Sequence, residues 1–189
     1  MVDYRKSTTA GVGHHLLVGA LAAAATVGAT NAVAAVDIFL KIADIKGESK
    51  DSKHSGEIDL LTWSWGVNGP TVPDKQKALA QPACAEPLSV TKFVDRATPP
   101  LVTSAALNTT IPSATLTVRK AGETPIEFLV LNLAGVTVKS LATGGSTGED
   151  RLTENVSLGF TSATITYTPQ KADGSADTPV SATAPGSCP

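Results

Sequence analysis

The sequence predicts a mainly β fold, a barrel or a sandwich, with one short helix. Three observations carry that expectation. Apolar and polar residues alternate with period two in segment after segment. Aromatic residues are only 4% of the chain while Thr, Val, Ala and Ser abound, which suits sheets built from small side chains. One stretch alone, near residues 98–106, combines helix-start chemistry with apolar residues at helical spacing. The 189 residues are enough for one domain with a sizeable core.

Residues 1–35 read as a signal-peptide-like segment. Arg5 and Lys6 make a basic start, residues 16–29 an uncharged apolar run, and Ala32-Val33-Ala34 an A-x-A cleavage site. That order is the order of a secretory signal. Two rival readings stay open. Residues 16–36 carry no charge over 21 residues, long enough for a membrane anchor, though diluted by Gly, Thr and Asn. A start codon placed upstream of a protein that begins near Ala35 is the third. His14 and His15 beside the run are read as incidental, and the mature form is expected to hold no stable membrane span.

The strands follow in order. Val36, Ile38, Leu40 and Ile42 share one face of a first strand, with Asp37 and Lys41 opposite. Residues 44–56 are a polar loop of mixed charge, in which His54 is expected to be exposed. In a second strand, residues 57–66, Leu61, Trp63 and Trp65 are expected to face the core while Leu60, Thr62 and Ser64 face away. Residues 68–87 are broken by Pro70, Pro73, Pro82 and Pro87 and read as a long extended loop. Residues 88–94 alternate again. Thr98 is placed as the cap of the helix, with Pro99 and Pro100 in its first turn, where the missing N–H groups cost nothing. Residues 113–120 are a strand, 121–124 a hairpin turn, and 126–140 a long strand bent or bulged at Gly135. Residues 154–167 complete the sheet. The stretch 175–189 is rich in Pro, Ala, Ser and Thr and is expected to be a flexible tail without a strand.

The chemistry-bearing candidates are few. Gly144-Gly145-Ser146-Thr147-Gly148 spells G-x-S-x-G, but a hydrolase elbow needs a helix directly after the serine, and here a polar loop and a strand follow. No lysine or helix start accompanies the glycines, as phosphate binding would require. Adjacent acids at Glu149 and Asp150 lack the alternating oxygens of a calcium loop. No catalytic residue, metal site or cofactor is therefore expected. Glu149, Asp150, Arg151 and Glu154 are read instead as charges that fix a turn and make a subunit contact. Lys and Arg total 15 against 17 Asp and Glu, a net charge of −2, which argues against a nucleic-acid partner. Cys84 and Cys188 are too few for a zinc site. They either pair, if the chain is exported, or stand as two inert thiols.

At this point the residues resemble a family. Val36-Asp37-Ile38-Phe39-Leu40-Lys41-Ile42, Lys46-Gly47-Glu48-Ser49 and Trp63-Ser64-Trp65-Gly66 are similar to the start of the haemolysin-coregulated proteins, Hcp. Leu88-Ser89-Val90-Thr91-Lys92-Phe93-Val94-Asp95 and Leu116-Thr117-Val118-Arg119-Lys120-Ala121-Gly122 continue the likeness. It is strongest in the run from Thr143 to Val156 and in Tyr167-Thr168-Pro169-Gln170-Lys171-Ala172-Asp173-Gly174. The resemblance implies a small two-sheet β-barrel over residues 36–174 with one flanking helix. It implies hexameric rings, stacked into the inner tube of a type VI secretion system, with spike, sheath and effector proteins as partners, and an extended loop at 68–87 that reaches a neighbour. Such a tube assembles in the cytoplasm and is then expelled. With Trp63 and Trp65 in the core, Thr62 and Ser64 are expected to line the lumen and touch cargo. Two features depart from the family: the signal-like start, and the missing last strand after Gly174, which would leave an open edge. A signal that works would make the chain an exported surface or binding protein, periplasmic on its way and acting outside the tube.

Overall fold

The computed structural model describes residues 36–70, 82–121, 125–148 and 150–188. The readings of residues 1–35, most of the 68–87 loop, the hairpin tip at 122–124 and Glu149 lie outside the described residues.

The element order is β1 (Val36–Ile42), β2 (Ile58–Ser64), β3 (Val67–Asn68), β4 (Cys84–Ala85), β5 (Leu88–Phe93), α1 (Thr98–Leu107), β6 (Ile111–Lys120), β7 (Ile126–Gly144), β8 (Thr153–Gly159), β9 (Ser162–Tyr167) and β10 (Val180–Pro185). Strands pair in the order β7-β6-β1-β2-β5-β8, and β8 pairs back onto β7, so six strands close a barrel. All its neighbours are antiparallel. Closure removes the exposed edges that an open sheet would offer.

The long strand β7 makes closure and extension together. Its first half, Leu129 to Ala134, pairs with β9; its second half, Thr137 to Gly144, pairs with β8. The switch falls at Gly135, which has φ 57°, and a Cβ there would meet Thr161 Oγ1 at 2.6 Å. Only glycine takes that backbone at no cost and admits that neighbour. The bend expected from the sequence is therefore a change of partner.

The core is the inward period of the barrel strands, joined by Leu101 of α1. Leu40, Ile58, Leu88, Leu101, Leu116, Leu131 and Leu158 are at most 1% exposed. Each such side chain contributes about 1.5–3 kcal/mol relative to staying in water. α1 lies against β7 and buries Leu101.

Five expectations are corrected. Residues 154–167 are two strands, β8 and β9, turning at Phe160 and Thr161. Thr98 is the first helical residue, with Ala97 at the N-cap and no side-chain cap bond; Asp95 Oδ1 accepts the Ala97 N–H at 2.9 Å just before the helix. A bulge between Leu60 and Thr62 shifts the phase of β2, so Leu60 is buried and Leu61 is 42% exposed, while Trp63 and Trp65 still pack on the core. Residues 175–189 are not a strandless flexible tail: β10 pairs with β9 from Val180↔Tyr167 to Pro185↔Ser162. Its side chains are small and mostly exposed, so it has no apolar alternation to read; the ladder and a Thr166–Ser181 hydroxyl bond of 2.8 Å hold it.

The fifth concerns His54. It is 6% exposed, not a surface loop residue, because residues 46–57 fold back over the outside of β1 and β6. Its ring stacks on Phe39 with centroids 4.1 Å apart. Nδ1 is 3.0 Å from Glu57 Oε2 and Nε2 is 3.5 Å from Glu127 Oε1. Arg119 anchors the same loop, with Nη1 and Nη2 donating to both Asp51 oxygens (2.9 and 2.6 Å) and Nη2 also to Asp37 (2.8 Å).

Candidate functional site

Two surfaces hold four of the residues singled out from the sequence: Thr62 and Ser64 on one, Asp150 and Arg151 on the other. The first is the outer face of β2, β5, β8 and the end of β7. Register brings Thr62, Thr91, Asn155 and Ala142 into one row across the four strands. Ser64, Ser89, Ser157 and Ser140 form the next row. Thr62 and Ser64 are exposed on it, and Thr91 Oγ1 donates to Asn155 Oδ1 at 2.7 Å. The face is a shallow concavity of about 350 Å³ in which no lining residue is charged. Small hydroxyls offer both donors and acceptors and can rotate to suit a partner. Behind them Trp63, Val90 and Val156 pack inward, which makes the platform rigid.

The second surface is the turn at Asp150 and Arg151 before β8, at the opposite end of that sheet from the β3–β4 pair. Asp150 and Arg151 are exposed there. The Arg151 guanidinium lies over the Phe93 ring at 3.7 Å from its centroid. Glu48, Lys50, Asp59 and Asp95 line the same hollow. A strand, β8, follows Gly144-Gly145-Ser146-Thr147-Gly148 where a hydrolase elbow needs a helix.

Glu154 does not belong to this surface. It is fully buried inside the barrel, where Oε1 accepts from Lys92 Nζ at 2.7 Å and from Thr98 Oγ1 at 2.9 Å. Lys92 Nζ also donates to Asp95 Oδ1 (2.7 Å) and to the Phe93 carbonyl (2.8 Å). The expected contact residue is therefore an internal one, tying β8, β5 and the start of α1 together. The signal was present in the alternation: Lys92 is in phase with Leu88 and Val90, and Glu154 with Val156 and Leu158. Two opposite charges on adjacent inward positions of neighbouring strands mark a buried pair.

Cys84 and Cys188 are joined in a disulfide, with Cα atoms 5.0 Å apart. Among the described residues no cluster of three His, Cys, Asp or Glu could hold a metal ion. None of their helices is long and apolar enough to cross a membrane.

Comparison with known proteins follows the same lines. A family described as "Type VI secretion system effector, Hcp" matches residues 39–167. Protein hcp1 of Pseudomonas aeruginosa is 48% identical over 145 residues, covering 76% of this chain and 90% of that protein. The crystal structure of Hcp1 from Salmonella typhimurium is similar at 31% identity and TM-score 0.66, covering 80% of this chain and 99% of that one. That of a type VI secretion system effector from Yersinia pestis is similar at 30% identity and TM-score 0.65, covering 79% and 99%.

Proposed function

The chain belongs to the Hcp family and is a type VI secretion tube protein; from that premise we propose that it acts as a ring subunit, six to a ring, with rings stacked end to end. The observation that carries this reading is the asymmetry of the barrel's two ends. The β2–β5–β8 sheet carries the β3–β4 pair at one end and the charged Asp150–Arg151 turn at the other. Unlike ends suit head-to-tail stacking, in which each contact is heterologous and repeats. Spike, sheath and effector proteins are the partners such a tube would need, with assembly in the cytoplasm before expulsion. Its work is mechanical and carrying, and we assign it no catalytic residue.

The uncharged hydroxyl face is the surface we assign to cargo. A lumen lined this way holds its load by many weak, rotatable hydrogen bonds and few ion pairs, so that cargo is retained yet can leave. Thr62 and Ser64 are the β2 members of its two rows. Asp150 and Arg151 are assigned to the contact between subunits.

The test is native mass spectrometry and electron microscopy of the full chain. Six-membered rings are expected; a monomer at all concentrations would overturn the ring. Ser64→Phe is expected to impair cargo retention with rings intact. Unchanged retention would remove Ser64 from the cargo face.

A further inference from the structure

The C-terminal residues do not trail away from β10. Past Pro185 the chain crosses to β4 and runs parallel to it. Ala85 N–H donates to Gly186 O at 3.0 Å, and Cys188 N–H donates to Ala85 O at 2.7 Å. Ser187 ties the same segment to the end of β8: its N–H donates to Phe160 O at 2.9 Å, and its Oγ accepts from Phe160 N–H at 3.1 Å. The approach is close, since a Cβ on Gly186 would meet Thr161 O at 2.8 Å. Residues 186–188 are thus a strap, and the Cys84–Cys188 disulfide closes it onto β4, itself paired with β3 through Asn68↔Cys84.

We propose that this disulfide is a redox-operated clasp: a thiol reductant opens the strap and loosens the β3–β4 root while the six-stranded barrel stays closed. Neither cysteine lies in a barrel strand, and the strap meets the closing β7–β8 ladder only at its Gly159–Phe160 end, while the rest of that ladder, from Val138 to Gly144, makes no bond to it. Without the covalent link the strap rests on three backbone hydrogen bonds and the Ser187 hydroxyl. In water such bonds contribute little net, and ordering the few residues that make them costs a comparable amount. The link therefore decides whether the strap is held. Both cysteines are half-buried, so a small thiolate can reach them. A dithiol's thiolate attacks one sulfur, the S–S bond breaks to a mixed disulfide, and the second thiol resolves it. The reductant gives up two electrons and two protons and becomes a disulfide; Cys84 and Cys188 receive them as thiols.

The test is hydrogen exchange of the full folded chain before and after dithiothreitol, with free thiols counted. The expected result is complete reduction with at least about ten-fold faster exchange at the Ala85, Ser187 and Cys188 amides, and no change at Leu116 or Leu131. A Cys84→Ser/Cys188→Ser chain should match the reduced pattern without reductant. Unchanged exchange in the strap after full reduction would overturn the clasp. So would resistance to dithiothreitol in the folded state, or loss of protection throughout the barrel.

Discussion

Lys92 Nζ stands 2.7 Å from Glu154 Oε1 inside the barrel, and both residues are fully buried. Two charges taken out of water are tolerated only because the pair is surrounded by further partners, Asp95, Thr98 and the Phe93 carbonyl. The consequences of removing each are unequal. Lys92→Met takes the cation from two carboxylates at once and should cost about 3–5 kcal/mol in urea unfolding. Glu154→Gln leaves Lys92 its bond to Asp95 and should cost only about 1–3 kcal/mol. Equal losses would mean that Asp95 does not share the lysine.

Gly135→Ala should destabilise the barrel through two separable effects. The left-handed backbone costs about 1 kcal/mol for a residue with a Cβ. The clash with Thr161, 2.6 Å from Oγ1 and 2.9 Å from Cγ2, adds more. Thr161→Ala in the same chain removes both clashing atoms and should recover the second part only. Full recovery in a thermal melt would show that the backbone conformation carries no cost here.

Acid should release the 46–57 loop. Bonds from the Arg119 guanidinium, then from the Lys53 and His54 N–H groups, hold the Asp51 carboxyl well below the usual carboxylate range. A depressed pKa contributes stability that is fully present above the unfolded value, near pH 4, and is lost as pH falls toward the folded value. The wild-type chain should therefore lose stability progressively below about pH 4. Asp51→Asn should be less stable at neutral pH and show a flatter acid limb. Parallel acid limbs in the two chains would contradict the Arg119 pairing.

Arg151 gives the sharpest test of the subunit contact. Its stacking on Phe93 is at an exposed site and is worth about 0.5–1 kcal/mol to the fold. Arg151→Ala should thus leave the monomer folded, with circular dichroism unchanged, while lowering the fraction of rings at a fixed concentration. A ring fraction equal to that of the parent would place the contact elsewhere.

Much of the fold was legible because strand periodicity is local. Alternation located β1, β5 and β6, the proline pair located α1, and Gly135 marked the bend. The readings that failed did so for identifiable reasons. A bulge at Leu61 reverses the phase of β2 without any residue that announces it. β10 is held by backbone bonds and hydroxyls, which leave no apolar signature. Nearness in the chain groups Glu154 with Asp150 and Arg151. Its phase with Val156 and Leu158 was the better guide, since it turns the side chain into the barrel and toward Lys92.

The sequence alone determined the class of fold, the family blocks that order it, and the hydroxyl character of the Thr62 and Ser64 face, because each is written in neighbouring residues. The tertiary structure decided where long-range partners meet: β7 changing from β9 to β8, His54 laid on Phe39, Lys92 against Glu154, and Cys84 against Cys188. Those pairings depend on register and closure, which fix the positions of residues up to 104 apart in the chain and have no local period to reveal them.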